Sequence, residues 1–320
     1  MTVLEAIQKS TDFLAKKGVE SARLNAELLL AHQLNLPRMK LYLNFDRVLT
    51  TAETDGLREL IKRRATREPV QHITGSTSFC GCEISVSRHA LVPRPETELL
   101  AELGWKFLAE HRPPTRLEDD SQKHAGPEAG APTALDFGTG TGCIAIALAA
   151  KCLIARITAL DISPDALALA KENAAQNKVA ERVEFLLGDG FAALEGRWGE
   201  HPREVKSDSQ NDAPEVSPHQ FDLIISNPPY IASAEIETLN AEVKDFDPRG
   251  ALDGGADGLD FYRRLVKEAG PFLKPAGKIM VEFGDGQADD LKQIFAAEKW
   301  IVEAVQEDYS HRARILIAHL

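Results

Sequence analysis

The chain has 320 residues, 43% of them hydrophobic, which suits one large catalytic domain and a smaller companion. Its 37 basic against 49 acidic side chains leave a net charge of −12, forfeiting the phosphate neutralisation that carries most non-specific nucleic-acid affinity. No apolar run reaches the length of a membrane span, Met1-Thr2-Val3-Leu4-Glu5 lacks the basic start of a secretory signal, and four cysteines give no disulfide framework, so a reduced cytoplasmic protein is expected.

Residues 1–70 read as a small helical domain. Leu4, Ile7 and Leu14 recur at helical spacing, as do Leu24, Leu28 and Ala31, then Leu57, Leu60 and Ile61. Gly18 and Pro37 punctuate these segments. Arg58, Lys62, Arg63, Arg64 and Arg67 crowd a helix beginning near Glu53. With Glu59 and Glu68 beside them they read as a solvated face, the other reading being a contact surface for a partner protein or ribosomal complex. Residues 71–92 shorten in pattern, with Gly75, Gly81 and alternating Cys82, Ile84 and Val86, and predict a β-hairpin linker. Cys80 and Cys82 share a strand face but lack a second pair or a nearby histidine. They read as free thiols, and no metal is expected.

Residues 93–320 read as the catalytic domain. Glu96–Glu110 is predicted helical. Two polar stretches, near 112–132 and 196–220, hold too few apolar side chains to offset ordering entropy and read as inserted loops. Between them, Thr133–Phe137 is a short apolar strand entering Gly138-Thr139-Gly140-Thr141-Gly142, followed by an Ala-rich helix. Glycines at such a turn admit a ligand close to the backbone. The spacing G-x-G-x-G, rather than G-x-G-x-x-G, points to an amino-acid moiety instead of a pyrophosphate. The next strand ends in Asp161, placed to accept from ribose hydroxyls. A third, Arg182–Leu187, ends at Gly188-Asp189-Gly190-Phe191, where an adenine ring would lie. Each acid alone would be a loop residue or a helix cap; their serial placement at strand ends marks a ligand site.

The strand Phe221–Ser226 leaves through Asn227-Pro228-Pro229-Tyr230. Two prolines fix φ and remove donors, so the turn holds the Asn227 carboxamide and the Pro228 carbonyl in one stiff arrangement. Those two oxygens suit the two N–H bonds of a planar NH₂ group, an amide or an exocyclic amine. The plainer reading is a proline-rich turn with a packed tyrosine. Beyond it, Phe261–Ala269 and Ala288–Ala297 are predicted helices, and Lys278–Phe283, Trp300–Val305 and Ala313–Ala318 predicted strands. Periodicity supports a doubly wound α/β fold.

The glycine loop, Asp161, Asp189 and Asn227–Tyr230 together resemble a class I S-adenosylmethionine-dependent methyltransferase acting on a planar nitrogen. Arg67–Gly75, Phe79, Leu91–Glu98, Asp247–Leu252, Gly258-Leu259-Asp260, Glu282-Phe283-Gly284 and Gln287 narrow the resemblance. It is to the peptide chain release factor N5-glutamine methyltransferases of the HemK/PrmC type, and it spans nearly the whole chain. It implies a seven-stranded Rossmann-like sheet in the order 3-2-1-4-5-7-6, with a helical N-terminal domain that grips the release factor. The implied cofactor is S-adenosyl-L-methionine. Gly138–Gly142 would line its methionine end, Asp161 would bond the ribose, and Asp189 with Gly190 would border the adenine. Many relatives carry an aromatic residue at the position of Gly190; here Phe191 is expected to substitute. Asn227 and Pro228 would orient the nitrogen, and Tyr230 would pack on the substrate's aliphatic stem. Arg94, Glu96 and Glu98 would flank the entrance, touching substrate or bracing the linker. The implied substrate is the glutamine of the Gly-Gly-Gln motif in release factors, with the ribosome-bound termination complex as a further candidate partner. The rivals are an RNA or DNA amino-methyltransferase, against which the acidic charge argues, and a non-catalytic cofactor-binding adaptor.

Overall fold

The computed structural model describes residues 1–110, 130–195 and 220–320. The polar stretches near 112–132 and 196–220 lie outside the described residues except at their last positions. The chain forms two compact units. One comprises Met1–Thr77, Val86–Arg88 and Thr238–Asp247; the other comprises Ser78–Ser85, His89–Glu237 and Pro248–Leu320.

In the first unit run α1 (Val3–Lys16), α2 (Ala22–Gln33), the single turn α3 (Arg38–Leu41), α4 (Thr51–Ala65) and α5 (Val70–Thr74). Helices α1 and α4 start with capping boxes, Thr2 with Glu5 and Thr50 with Glu53. Each threonine oxygen satisfies an orphan N–H while the glutamate reaches back to the cap backbone. Val3, Ile7, Leu14, Leu29, Leu30, Leu57 and Ile61 form the core. Glu27, only 2% exposed, is compensated by Arg23, Arg38 and Tyr42, which donate to it at 3.0, 2.9 and 2.8 Å. Helix α5 departs from expectation, since the sequence from Gln71 reads as hairpin. Five residues are too few to show a helical period, and Gly75 ends the helix in the left-handed region at φ 86°. The hairpin follows as β1 (Ser76–Phe79) and β2 (Cys82–Ser85).

Then come α6 (Pro95–Glu110), β3 (Thr133–Phe137), α7 (Cys143–Lys151), β4 (Arg156–Asp161), α8 (Pro164–Gln176), β5 (Val183–Leu187) and α9 (Ala192–Glu195). They are followed by β6 (Phe221–Ser226), the single turn α10 (Ala241–Lys244), α11 (Asp260–Glu268), β7 (Leu273–Glu282), α12 (Ala288–Ala297), β8 (Ile301–Glu307) and β9 (Ala313–His319). The seven strands lie in the order β5-β4-β3-β6-β7-β9-β8. With β3 counted as first, this is the 3-2-1-4-5-7-6 sheet of class I methyltransferases. Strands β5 to β7 are parallel, and β9 runs antiparallel to both β7 and β8.

Alternate side chains go to opposite faces, as a pleated strand requires. Ala134, Ile157, Leu223, Ile225 and Met280 enter one core with α6 and α7. Leu135, Phe137, Leu160, Ile224, Ile279 and Val281 enter the other, with α11 and α12. Gly104 lets α6 lie close on the first face, because a Cβ there would sit 2.9 Å from Ile225 Cδ1 and from Leu148 Cδ2. From β3 the chain winds one way to β4 and β5 and the other way to β6 and β7. That reversal opens a crevice beyond the carboxyl ends of β3 and β6, where open α/β sheets bind ligands. The Ser226 hydroxyl donates to the Phe137 carbonyl at 2.6 Å and ties the two strand ends together.

Candidate active site

A cavity of about 340 Å³ opens at this crevice, within the size range of small-molecule sites. Its wall includes Gly138, Thr139, Gly140, Thr141, Asp161, Asp189, Gly190, Asn227, Pro228 and Pro229. Two of the expected residues stand elsewhere. Gly142 lies behind the loop as the cap of α7, where a Cβ would meet Ala170 Cβ at 3.0 Å. Tyr230 is not on this wall; its ring packs on the core of the α11 and α12 face, and burial pushes its phenol up to about 12.

The glycine loop is held by the neighbouring strand. Gly138 and Thr139 both donate to the Leu160 carbonyl at 2.9 Å, and Gly140 N donates to Asp161 Oδ2 at 2.8 Å. Gly138 and Gly140 take φ of 75° and 55°, a region that admits glycine without penalty and turns the loop's backbone to the cavity. The other Asp161 oxygen accepts from Ser163 N at 2.9 Å. One carboxylate thus shapes the loop and starts α8 while still facing the cavity.

Behind the loop sits Asp136, wholly buried. Its Oδ2 accepts from Thr139 Oγ1 at 2.6 Å and from Ala145 N at 3.0 Å, and its Oδ1 has no hydrogen-bond partner among the described residues. Burial raises its pKa to about 7, against the opposing pull of those two donors.

At the end of β6, Asn227 Nδ2 donates to Thr97 Oγ1 at 3.0 Å. This fixes the carboxamide so that Oδ1 is left to accept. The Thr97 hydroxyl in turn hydrogen-bonds to Glu282 at the end of β7. Glu282 is 2% exposed, and its Oε2 has no hydrogen-bond partner among the described residues. Burial raises its carboxyl to about 7, with Glu96 adding to the rise and Thr97, Arg314 and Arg94 opposing it.

The downstream motifs clamp the same turn from outside. Gln287 Nε2 donates to the Tyr230 carbonyl at 2.9 Å, and Gln287 Oε1 accepts from Gly284 N at 2.8 Å. Ile231 N bonds the Leu252 carbonyl, and Gly254 N the Ile231 carbonyl. Gly254 has no room for a Cβ, which would meet the Pro229 carbonyl at 2.8 Å.

Residues 5–75 match the family described as PrmC N-terminal domain, and residues 130–313 the family described as Methyltransferase domain. The release factor glutamine methyltransferase of Geobacter sulfurreducens is 39% identical over 295 residues, which cover 92% of this chain and 88% of that protein. That of Rhodospirillum rubrum is 38% identical over 94% of this chain and 80% of its own length. That of Chlorobaculum tepidum is 35% identical over 96% and 93%. The chain belongs to the release factor glutamine methyltransferase family.

It is an S-adenosyl-L-methionine-dependent methyltransferase, and its residues fit that cofactor. A loop stripped of side chains at Gly138 and Gly140 faces the same cavity as carboxylates at two successive strand ends. Among the described residues no helix is long and apolar enough to cross a membrane, and no group of three His, Cys, Asp or Glu side chains is placed to hold a metal ion.

The basic side chains on α4 and just after it are engaged. Arg58 pairs with Asp55, Lys62 with Glu59, Arg63 with Glu68, and both Arg64 and Arg67 with Glu242. Arg58, Lys62 and Arg63 are thus exposed and paired, whereas Arg64 is buried and does not belong to a solvated face. Of the three residues expected at the entrance, Arg94 lines the cavity, whereas Glu98 accepts from Cys80 N at 2.8 Å and so braces the hairpin. Phe191 does not substitute for an aromatic at position 190. It is buried, stacked on Phe272 at 4.8 Å and packed against Phe137 at 4.9 Å.

Sequence reasoning quoted Thr97 and Glu282 within motifs of the resemblance without giving either a role, and it assigned none to Asp136 or Asn173. Asn173 joins β2 to the glycine loop by accepting from Ser85 N and donating to the Ser85 and Thr141 carbonyls. For Asp136 and Glu282 the usable signal was a carboxylate in an otherwise apolar run, whereas Thr97, between Glu96 and Glu98, gave none.

Proposed function

We propose that the chain transfers a methyl group to the side-chain amide nitrogen of the glutamine in the Gly-Gly-Gln motif of peptide chain release factors, in the cytoplasm. The observation that carries this reading is the locked carboxamide of Asn227, with Oδ1 left as an acceptor beside Pro228 on the wall of the cavity.

An amide nitrogen is a poor nucleophile because its lone pair is delocalised into the carbonyl, as in the peptide bond itself. When bound, S-adenosyl-L-methionine supplies a methyl group on a cationic sulfonium, whose sulfur keeps the electron pair as the carbon–sulfur bond breaks. Asn227 Oδ1 and the Pro228 carbonyl accept the two N–H bonds of the glutamine NH₂. They direct the nitrogen at the methyl carbon and stabilise positive charge as the new bond forms. Holding the reactants in line is worth up to roughly 7–11 kcal/mol, and these two oxygens need no reorganisation. We assign the departing proton to water.

In the same reading Gly138, Thr139, Gly140 and Thr141 hold the methionine end, Asp161 the ribose, and Asp189 and Gly190 the adenine border. Gly142 supports the loop from behind. Tyr230 braces the turn instead of touching the substrate stem. The helical unit grips the release factor, free or within a ribosome-bound termination complex.

The test is incubation with radiolabelled cofactor and either a release factor or RNA, followed by intact-mass analysis and mapping of the methyl. One added methyl on the Gly-Gly-Gln glutamine is expected. Label in an exocyclic base nitrogen and none in the release factor would overturn the reading, and no transfer to any acceptor would leave a cofactor-binding adaptor.

A further inference from the structure

Position 190 is a glycine, and the space a side chain would take there is filled from another element. A Cβ on Gly190 would collide with Arg264 Nη2 and lie 2.8 Å from Arg264 Cζ. The guanidinium of α11 therefore rests on the backbone where a side chain at 190 would begin. It is pinned there through its edges. Nη1 pairs with Asp189 Oδ1, Nη2 donates to the Asp189 carbonyl at 3.1 Å, and Nε donates to Glu268 Oε1 at 2.9 Å. A guanidinium donates only in its own plane, so these bonds fix the plane, with one flat face over Gly190 and the opposite face without a hydrogen bond. Arg264 lines the cavity together with Asp189, Gly190 and Phe261, one turn earlier on the same helix face.

We propose that Arg264 is a cofactor-binding residue that holds the purine base of the cofactor against the flat face of its guanidinium. The assignment rests on the cofactor site described under the proposed function. A planar cation over an aromatic face is attractive, and Arg stacks where Lys, a point charge, does not. Asp189 then acts as a positioning residue: its carboxylate and its carbonyl both hold the guanidinium plane.

Binding of S-adenosylhomocysteine and of S-ribosylhomocysteine, which lacks the base, is measured by calorimetry on the full-length protein and on R264A, R264K and F261L. R264A is expected to weaken S-adenosylhomocysteine binding about tenfold. R264K should lose nearly as much, and neither change should alter S-ribosylhomocysteine binding. The assignment is overturned if R264A and R264K bind S-adenosylhomocysteine like the parent. It is overturned too if they lose both ligands equally, or if the whole loss appears in F261L. Failure of the parent protein to bind S-adenosylhomocysteine would sink the proposed function itself, an outcome distinct from parent-like binding by the variants.

Discussion

The Thr97 hydroxyl accepts from Asn227 Nδ2 at 3.0 Å across 130 positions of sequence. Because that hydroxyl is also bonded to Glu282, three strand and helix ends meet at the carboxamide that we propose receives the substrate. T97V keeps the shape and removes both bonds. A hydrogen bond of this kind is worth about 0.5–1.5 kcal/mol, and about 1.36 kcal/mol is tenfold in rate. Steady-state methylation of a release factor should therefore show kcat reduced about tenfold, with S-adenosylhomocysteine affinity little changed. An unchanged kcat would mean that Asn227 holds its orientation unaided.

Glu282 and Asp136 give the fold a pH dependence of definite sign. Both are buried carboxyls raised to about 7 from 4.5 and 3.8. The folded state therefore binds more protons than the unfolded state in that window. Their stabilising contribution is full below the unfolded values and is lost as pH rises through about 7. E282Q and D136N remove the titration, so each should gain stability relative to the parent between about pH 5 and pH 8. The gain should be on the order of 1–3 kcal/mol, since a tenfold difference in proton affinity between the folded and unfolded states is worth roughly 1.4 kcal/mol. Urea denaturation at the two pH values measures it, and a constant difference between parent and variant would refute it.

Asp161 shapes the site before any ligand arrives. Its two oxygens accept from Gly140 N and Ser163 N, and charge-assisted bonds of this type contribute about 1.5–3 kcal/mol. D161A should loosen the glycine loop and raise the dissociation constant of S-adenosylhomocysteine by at least about tenfold. D161N retains acceptor capacity and should lose less. Equal loss in both variants would place the whole effect in the negative charge.

Much of this fold was legible locally. The strands Thr133–Phe137 and Phe221–Ser226 are short, apolar and bounded by glycine and proline signals, and they appear over those same residues. Strand β7 begins at Leu273, five residues before the predicted start, because Pro275 and Gly277 read as breakers. The pairing with β6 tolerates them through a register shift between Phe221 and Leu223. What stayed hidden depends on long-range pairing. Nothing near Thr97 in sequence indicates Asn227, and nothing near Gly190 indicates an arginine 74 positions downstream. The motif Asp247–Leu252 was recognisable by resemblance, but only the bonds of Leu252 and Gly254 to Ile231 show that this segment clamps the proline turn.

Gly104 tests the packing beneath the site. It lies within α6, where glycine costs about 1 kcal/mol against alanine, so its presence needs a compensating contact. The contact is the close approach of the helix to β6 and α7, with no space for a Cβ near Ile225, Leu148 and Leu223. Alanine would gain helix propensity and lose a comparable amount to the displaced methyl groups, leaving stability within about 1 kcal/mol. Leucine must push α6 off the sheet and should destabilise by about 1–3 kcal/mol. Helix α6 also carries Thr97, so the same displacement should draw its hydroxyl away from Asn227 and lower kcat as in T97V. Denaturant midpoints and methylation rates of G104A and G104L test both consequences. A leucine variant with parental stability and rate would show that the helix is free to move without disturbing the carboxamide.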